Sequence, residues 1–165
     1  MRINHSSDYS NADGSYVTTP GSHLGFRYII DKVMGAGAFG QVLRCRDMCE
    51  NGRIVAIKIS KQGSSETDNA QIEARILNRI SNLDPETNRL VKIFDSFYFR
   101  RYFLIVTEML DMDLYGYLKK RSFDPISIDL LRNIATQTLT GLRHLVNIKL
   151  IHCDLKPENI LFTDQ

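Results

Sequence analysis

The chain has 165 residues, 43% hydrophobic and 24% charged, a size and composition that suit a globular protein with a buried core in one or two small domains. Its 21 Lys and Arg against 19 Asp and Glu leave a net charge of +2 with no basic block, which argues against nucleic-acid binding. No apolar run approaches the ~20 residues that a bilayer requires, and the N-terminus lacks the apolar core of a signal peptide, so no membrane is expected.

Residues 1–26 are rich in Ser, Asn, Asp and Gly, with a turn signal at Pro20-Gly21, and are expected to form a flexible arm. From Arg27 the pattern changes. Tyr28-Ile29-Ile30 and then Val33-Met34 read as a strand running into a Gly-rich turn, Gln41 to Arg46 as its return strand, and Arg53 to Ser60 as a third strand. A helical period follows, with Ile72, Ile76, Ile80 and Leu83 at spacings of three and four, ended by Asp84-Pro85. Leu90 to Phe99 and Tyr102 to Met109, parted by Arg100-Arg101, read as a hairpin. A short helix near Asp113 to Lys120 and a break at Pro125 precede a long amphipathic helix carrying Ile128, Leu131, Ile134, Ala135, Leu139, Leu142 and Leu145. The order is α+β: a five-stranded antiparallel sheet lobe with one inserted helix over 27–110, then the beginning of a helical lobe over 111–165. Three scattered cysteines complete the inventory. Cys45 and Cys49 could share a metal, but no His or third Cys stands close by, so reduced thiols in the cytoplasm or nucleus are expected.

Three motifs carry chemistry. Gly35-Ala36-Gly37-Ala38-Phe39-Gly40 lacks bulk at its glycines, so backbone N–H groups could approach phosphate oxygens. The same spacing suits a hairpin turn that binds nothing, or a dinucleotide-binding turn; the latter requires a helix opening at the third glycine, where strand-like Val42-Leu43-Arg44-Cys45 stands instead. Val55-Ala56-Ile57-Lys58 closes an apolar strand on a Lys. Such a Lys either marks a solvated strand end or holds nucleotide phosphates, a role that needs an acidic partner. Glu73 on the next helix is the candidate, and Glu66 the rival, whose plainer reading is a favourable charge at the helix start. Last comes Ile151-His152-Cys153-Asp154-Leu155-Lys156-Pro157-Glu158-Asn159. One loop there combines a carboxylate able to take a hydroxyl proton, an ammonium to neutralise a phosphate and an amide to ligate a metal, as phosphoryl transfer to an alcohol requires.

Together these residues resemble the eukaryotic protein kinases, from about Arg27 onward. His152-Cys153-Asp154, with Ala70 to Arg75, Thr107 to Leu110, Leu114-Tyr115 and Ile151 to Leu161, is similar to the dual-specificity tyrosine-regulated kinases. Gly14-Ser15-Tyr16-Val17, Pro20 and His23 to Tyr28 resemble the segment preceding the kinase domain in the second class of that family. The resemblance implies ATP and Mg2+, and it assigns roles. Gly35, Gly37 and Gly40 would cover the phosphates with Phe39 at the loop tip. Met34, Val42, Ala56 and Leu161 would sandwich the adenine, although such apolar positions also serve as plain core. Lys58 would pair with Glu73, and Thr107 would guard the back of the pocket. The main chain of Glu108 and Leu110 would bond the adenine, with Asp111 or Asp113 near the ribose. Asp154 would accept the substrate hydroxyl proton, Lys156 would steady the γ-phosphate, Asn159 would ligate Mg2+, and His152 would organise the loop.

There are two departures from the family pattern. Cys153 replaces an Arg that in many kinases docks a phosphorylated activation loop, and a thiol cannot make that charge-assisted pair. In the resembled family an activation-loop tyrosine is modified instead. The sequence also contains no Asp-Phe-Gly, activation loop or Ala-Pro-Glu, so the helix from Ile128 is expected to lack part of the surface it should bury. The expectation is the N-terminal part of a dual-specificity serine/threonine kinase domain acting on protein hydroxyls, with little phosphotransfer by these residues alone. A non-catalytic module that binds nucleotide or a protein partner is the alternative. A dinucleotide-binding oxidoreductase is third, and the strand after Gly40 argues against it.

Overall fold

A computed structural model describes residues 9–37, 40–81 and 87–163. The chain divides into two units, Met1–Asn78 with Lys92–Met109, and Arg79–Val91 with Leu110–Gln165. In the first, six strands form one antiparallel sheet: β1 (His23–Leu24), β2 (Tyr28–Gly37), β3 (Gly40–Asp47), β4 (Arg53–Ser60), β5 (Ile93–Phe99) and β6 (Tyr102–Glu108), in the order β1-β2-β3-β4-β6-β5. Helix α1 (Ser64–Ile80) is inserted between β4 and β5. The strand beyond the expected five is β1, whose two residues pair with Ile29 and Tyr28. Two residues are too few to show an alternation, so only pairing reveals this strand.

Register sorts the sheet into two faces. Leu43 stands opposite Ile57, Cys45 opposite Val55, and Ile57 opposite Val106. Cross-strand partners share a face, and these join Tyr28, Ile30, Tyr102 and Leu104 in the main core. Burial pushes the Cys45 thiol up to about 12, so it packs as a small apolar group. On the opposite face, Ile93, Phe103 and Ile105 pack under Ala70, Ala74 and Leu77 of α1.

The expected flexible arm proves otherwise over residues 9–26. Tyr16 and Leu24 are buried in the main core, with the Tyr16 ring edge-on to Tyr102 at 5.1 Å. The Tyr102 hydroxyl meets Ser10 Oγ at 2.7 Å, and the Arg100 guanidinium lies 3.5 Å over the Tyr9 ring. A polar segment is thus held by a few apolar anchors, which its average composition conceals. Residues 1–8 lie outside the described residues.

Helix α1 brings a second correction. Of the expected stripe, Ile80 is buried but Ile72 and Ile76 are exposed, and the residues that meet the sheet are Ala70, Ala74 and Leu77. Both stripes satisfy a spacing of three and four. The small residues win because alanines let the helix approach the strands closely, and Glu73 shares their stripe. Leu83 and Asp84-Pro85 lie outside the described residues.

The second unit holds α2 (Leu114–Lys120), α3 (Ile128–Asn147) and a 3-10 turn at Pro157–Asn159. Asp113 caps α2, its Oδ1 accepting from Gly116 N at 2.7 Å, and Ser127 caps α3 through Leu130 N. A Cβ on Gly141 would stand 3.3 Å from Leu90 Cδ2 and 3.4 Å from Arg89 O, so the glycine in α3 admits Arg89 and Leu90. That contact, with Arg79 Nη2 donating to Ile148 O at 2.7 Å, explains why 79–91 groups with the helices rather than with the sheet, against the expected boundary at 110.

The Asp47 side chain is fully buried where β3 ends. Its carboxylate accepts from Arg27 at 2.7 and 2.8 Å, from Arg53 at 3.5 Å and from Cys49 N at 3.1 Å. Arg27 above all holds the carboxyl below its ordinary range, against the opposing effect of burial. A carboxyl depressed in the folded state adds stability that is complete above the unfolded value of about 3.9 and is lost as pH falls through the folded value. Asp47→Asn is therefore expected to melt below the parent at pH 7, and the two curves should begin to converge below about pH 4, as followed by circular dichroism. A constant gap across that range would contradict the assignment.

Candidate functional site

In the first unit, the register pairs Val42 with Lys58, Arg44 with Ala56, Ala56 with Thr107 and Lys58 with Ile105. Val42, Ala56, Lys58 and Thr107 therefore share the face that carries Ile105 and α1. Lys58 Nζ donates to Glu73 Oε1 at 2.8 Å and Oε2 at 2.6 Å. Glu66 does not compete, since it stands in the first turn of α1 with its carboxylate against Gly63. Both members of the pair are about a third exposed, so the contact adds little stability and serves chiefly to fix the ammonium.

The glycines of the hairpin divide into two kinds. Gly40 has φ +134°, and a Cβ there would stand 2.0 Å from Ile59 O; the fold itself requires glycine at this position. At Gly35 and Gly37 a Cβ would meet nothing within 4 Å, so their bare backbone answers no packing need. Met34 and Val42 nearby are exposed apolar residues on β2 and β3. Phe39 lies outside the described residues. At the end of β6, Glu108 is fixed by two hydrogen bonds with Lys92: its N donates to Lys92 O at 2.9 Å and its Oε1 accepts from Lys92 N at 2.8 Å.

In the second unit, the loop from Ile151 to Asn159 is exposed and held by local bonds. Cys153 takes φ +62°, and the turn brings Asp154 N to His152 Nδ1 at 3.3 Å. Lys156 Nζ reaches Asp154 Oδ2 at 2.9 Å. Asn159 Nδ2 donates to Asp154 O at 2.8 Å and to the same Oδ2 at 3.0 Å. Hydrogen bonds from Lys156 first, and Asn159 next, hold the Asp154 carboxyl below its ordinary range, and Asp154 in turn raises the Lys156 ammonium. Both groups are therefore charged at neutral pH. Beyond the loop, Leu161 bridges to Asp113, Leu114 N donates to Ile160 O at 2.8 Å, and Tyr117 packs on Phe162.

With its amide nitrogen committed to Asp154, Asn159 offers a hard cation only Oδ1. Among the described residues no group of three or more His, Cys, Asp or Glu converges. Such a set suits a cation that takes most of its oxygens from phosphates and water, the usual manner of Mg2+.

The family model of the protein kinase domain matches residues 28–165. The chain belongs to the protein kinase domain family. It is 38% identical over 154 residues to the human dual specificity tyrosine-phosphorylation-regulated kinase 3, covering 93% of this chain and 26% of that protein. With the DYRK-family kinase pom1 of Schizosaccharomyces pombe it shares 38% over 161 residues, covering 96% and 15%. With the serine/threonine-protein kinase AFC1 of Arabidopsis thaliana it shares 41% over 149 residues, covering 90% and 32%. The chain thus spans less than a third of the length of each of these relatives.

Within this kinase domain, sequence reasoning overlooked the capping role of Asp113 and the side chain of Gln41. Asp113 Oδ1 is engaged as the cap of α2; the clue was an Asp three residues before Gly116 at a helix start. Gln41 is buried in β3, where it donates to Tyr16 O at 2.7 Å. Its signal was a polar residue in step with Leu43 and Cys45 on the inward face.

Two measurements follow from this geometry. Gly40→Ala should lower stability in urea titration by about 2 kcal/mol or more, while Gly35→Ala should stay within about 0.5 kcal/mol of the parent; equal losses would be inconsistent with the division of the glycines. In carboxyl NMR, the Asp154 midpoint should lie below the ordinary value of about 3.9 and move upward in Lys156→Ala.

Proposed function

We propose that this domain transfers the γ-phosphate of ATP to Ser and Thr hydroxyls of protein substrates, with dual specificity through tyrosine autophosphorylation in the whole protein. The observation that carries the reading is the Asp154–Lys156–Asn159 cluster, a carboxylate kept ionised beside an ammonium and an amide oxygen in one exposed loop. In this reading, Lys58, oriented by Glu73, holds the α- and β-phosphates, and the open backbone of Gly35 and Gly37 covers them. Met34, Val42, Ala56 and Leu161 enclose the adenine, and the main chain of Glu108 and Leu110 takes its edge. Asp111 or Asp113 serves the ribose; the cap on α2 engages Asp113 through Oδ1.

Mg2+ bound at Asn159 Oδ1 and the phosphates would neutralise charge developing on the transferred group. Asp154 orients the attacking hydroxyl and accepts its proton; both of its loop ties fall on Oδ2, so neither uses Oδ1. A carboxyl with a lowered pKa is a weak base, which makes orientation the larger part of its work. Lys156 offsets negative charge on the γ-phosphate. The three free cysteines support a reducing compartment, cytoplasm or nucleus.

The 165 residues contain no Asp-Phe-Gly and are expected to bind ATP with little turnover. Calorimetric titration with Mg-ATP tests the nucleotide site: Lys58→Met should weaken binding about tenfold or more. In the whole protein, Asp154→Asn should lower phosphotransfer from radiolabelled ATP by about a hundredfold to ten-thousandfold. Equal ATP affinity in the parent and Lys58→Met would sink the reading, and robust Asp154-dependent turnover by these 165 residues alone would overturn the expectation of low activity.

A further inference from the structure

We propose that Gln41 is a positioning residue for the nucleotide phosphates, tying the glycine-rich hairpin to the leader segment; the inference rests on the ATP reading above. Gln41 follows Gly40 at the start of β3 and is 7% exposed. It faces the main core, in step with Leu43 and Cys45, while Val42 beside it shares the opposite face with Lys58. A primary amide in such a place is costly unless bonded, and Gln41 Nε2 donates to the Tyr16 carbonyl at 2.7 Å. The return arm of the hairpin, opposite Ala36, is thereby fastened to a segment outside the sheet.

That same segment is fastened again at the far end of β4. Gln62 N donates to Gly14 O at 2.9 Å, and Lys61 Nζ meets Asp13 Oδ2 at 2.8 Å. The Tyr16 ring, between these ties, is locked in the core against Tyr102. Residues 13–16 therefore strap the start of β3 to the end of β4, the strand that carries Lys58. From the other side, Gly40 is pressed against Ile59 O. A Cβ at Gly35 or Gly37 would meet nothing within 4 Å, so no side-chain packing sets their height. They are held through their pairing with Val42 and Gly40, and the position of the hairpin relative to Lys58 follows the start of β3. The Gln41 side chain bears on the start of β3 from the main-core side, while Val42 beside it shares the Lys58 face.

Gln41→Met keeps the length of the side chain and removes the donor. Hydrogen exchange over residues 33–44, read by mass spectrometry on the full chain, is expected to rise about tenfold relative to β6 and α3. In calorimetry, Mg-ATP affinity should fall about three- to tenfold while adenosine affinity holds, since adenosine has no phosphates for the hairpin to cover. Asp13→Ala breaks an exposed tie of the same strap and should weaken ATP alone by about twofold; it decides the matter if Gln41→Met does not fold. Equal loss of ATP and adenosine, or exchange rising uniformly through the sheet, marks Gln41 as merely structural and overturns the proposal. ATP binding unchanged in both variants overturns the positioning role and leaves the ATP reading standing. An unsubstituted chain that binds no ATP overturns that reading, and the positioning role with it.

Discussion

An antiparallel strand turns successive side chains to opposite faces, and in this sheet that two-residue period separates what holds the protein together from what can meet a ligand. Leu43, Cys45, Val55, Ile57 and Val106 enter one core. Val42, Ala56, Lys58 and Thr107 occupy the other face through the same registers. Slipping β4 by one residue would bury the Lys58 ammonium and expose Ile57, at a cost of several kcal/mol. Burial of apolar side chains thus sets where Lys58 stands, although the Lys58–Glu73 pair, partly in water, adds little to stability itself.

The two faces are closed by different means. On the Lys58 face, the alanines of α1 allow a close approach that brings Glu73 within hydrogen-bonding reach of the lysine. On the opposite face, the leader contributes Tyr16 and Leu24 to the core and polar ties at its edges. A segment that composition marks as loose is in this way built into the support of the strands that carry Val42 and Lys58.

The loop around Asp154 follows another logic. Its residues are exposed, and no core dictates their places. Hydrogen bonds among Asp154, Lys156 and Asn159, a left-handed turn at Cys153, and the bridge between Leu161 and Asp113 do so instead. Apart from the Leu161–Asp113 bridge, this bonding is encoded within a dozen residues, which is why the loop was the most legible feature in the sequence. The leader and the packing stripe of α1 were less legible because their decisive partners lie far along the chain: Tyr102 for Ser10 and Tyr16, Phe103 and Ile105 for Ala70 and Ala74. Periodicity could not choose between the stripes 70-74-77 and 72-76-80, since helical spacing is the same for both and only the surface beneath the helix differs.

By itself the sequence determined the α+β order of elements, the glycine-rich hairpin, the strand that carries Lys58 and the composition of the loop around Asp154, because each depends on neighbours a few residues away. Tertiary structure alone decided which stripe of α1 meets the sheet, that residues 9–26 pack instead of wandering, and that Gln41 bonds the leader. Those outcomes turn on register and on burial between distant segments, and a linear pattern carries neither.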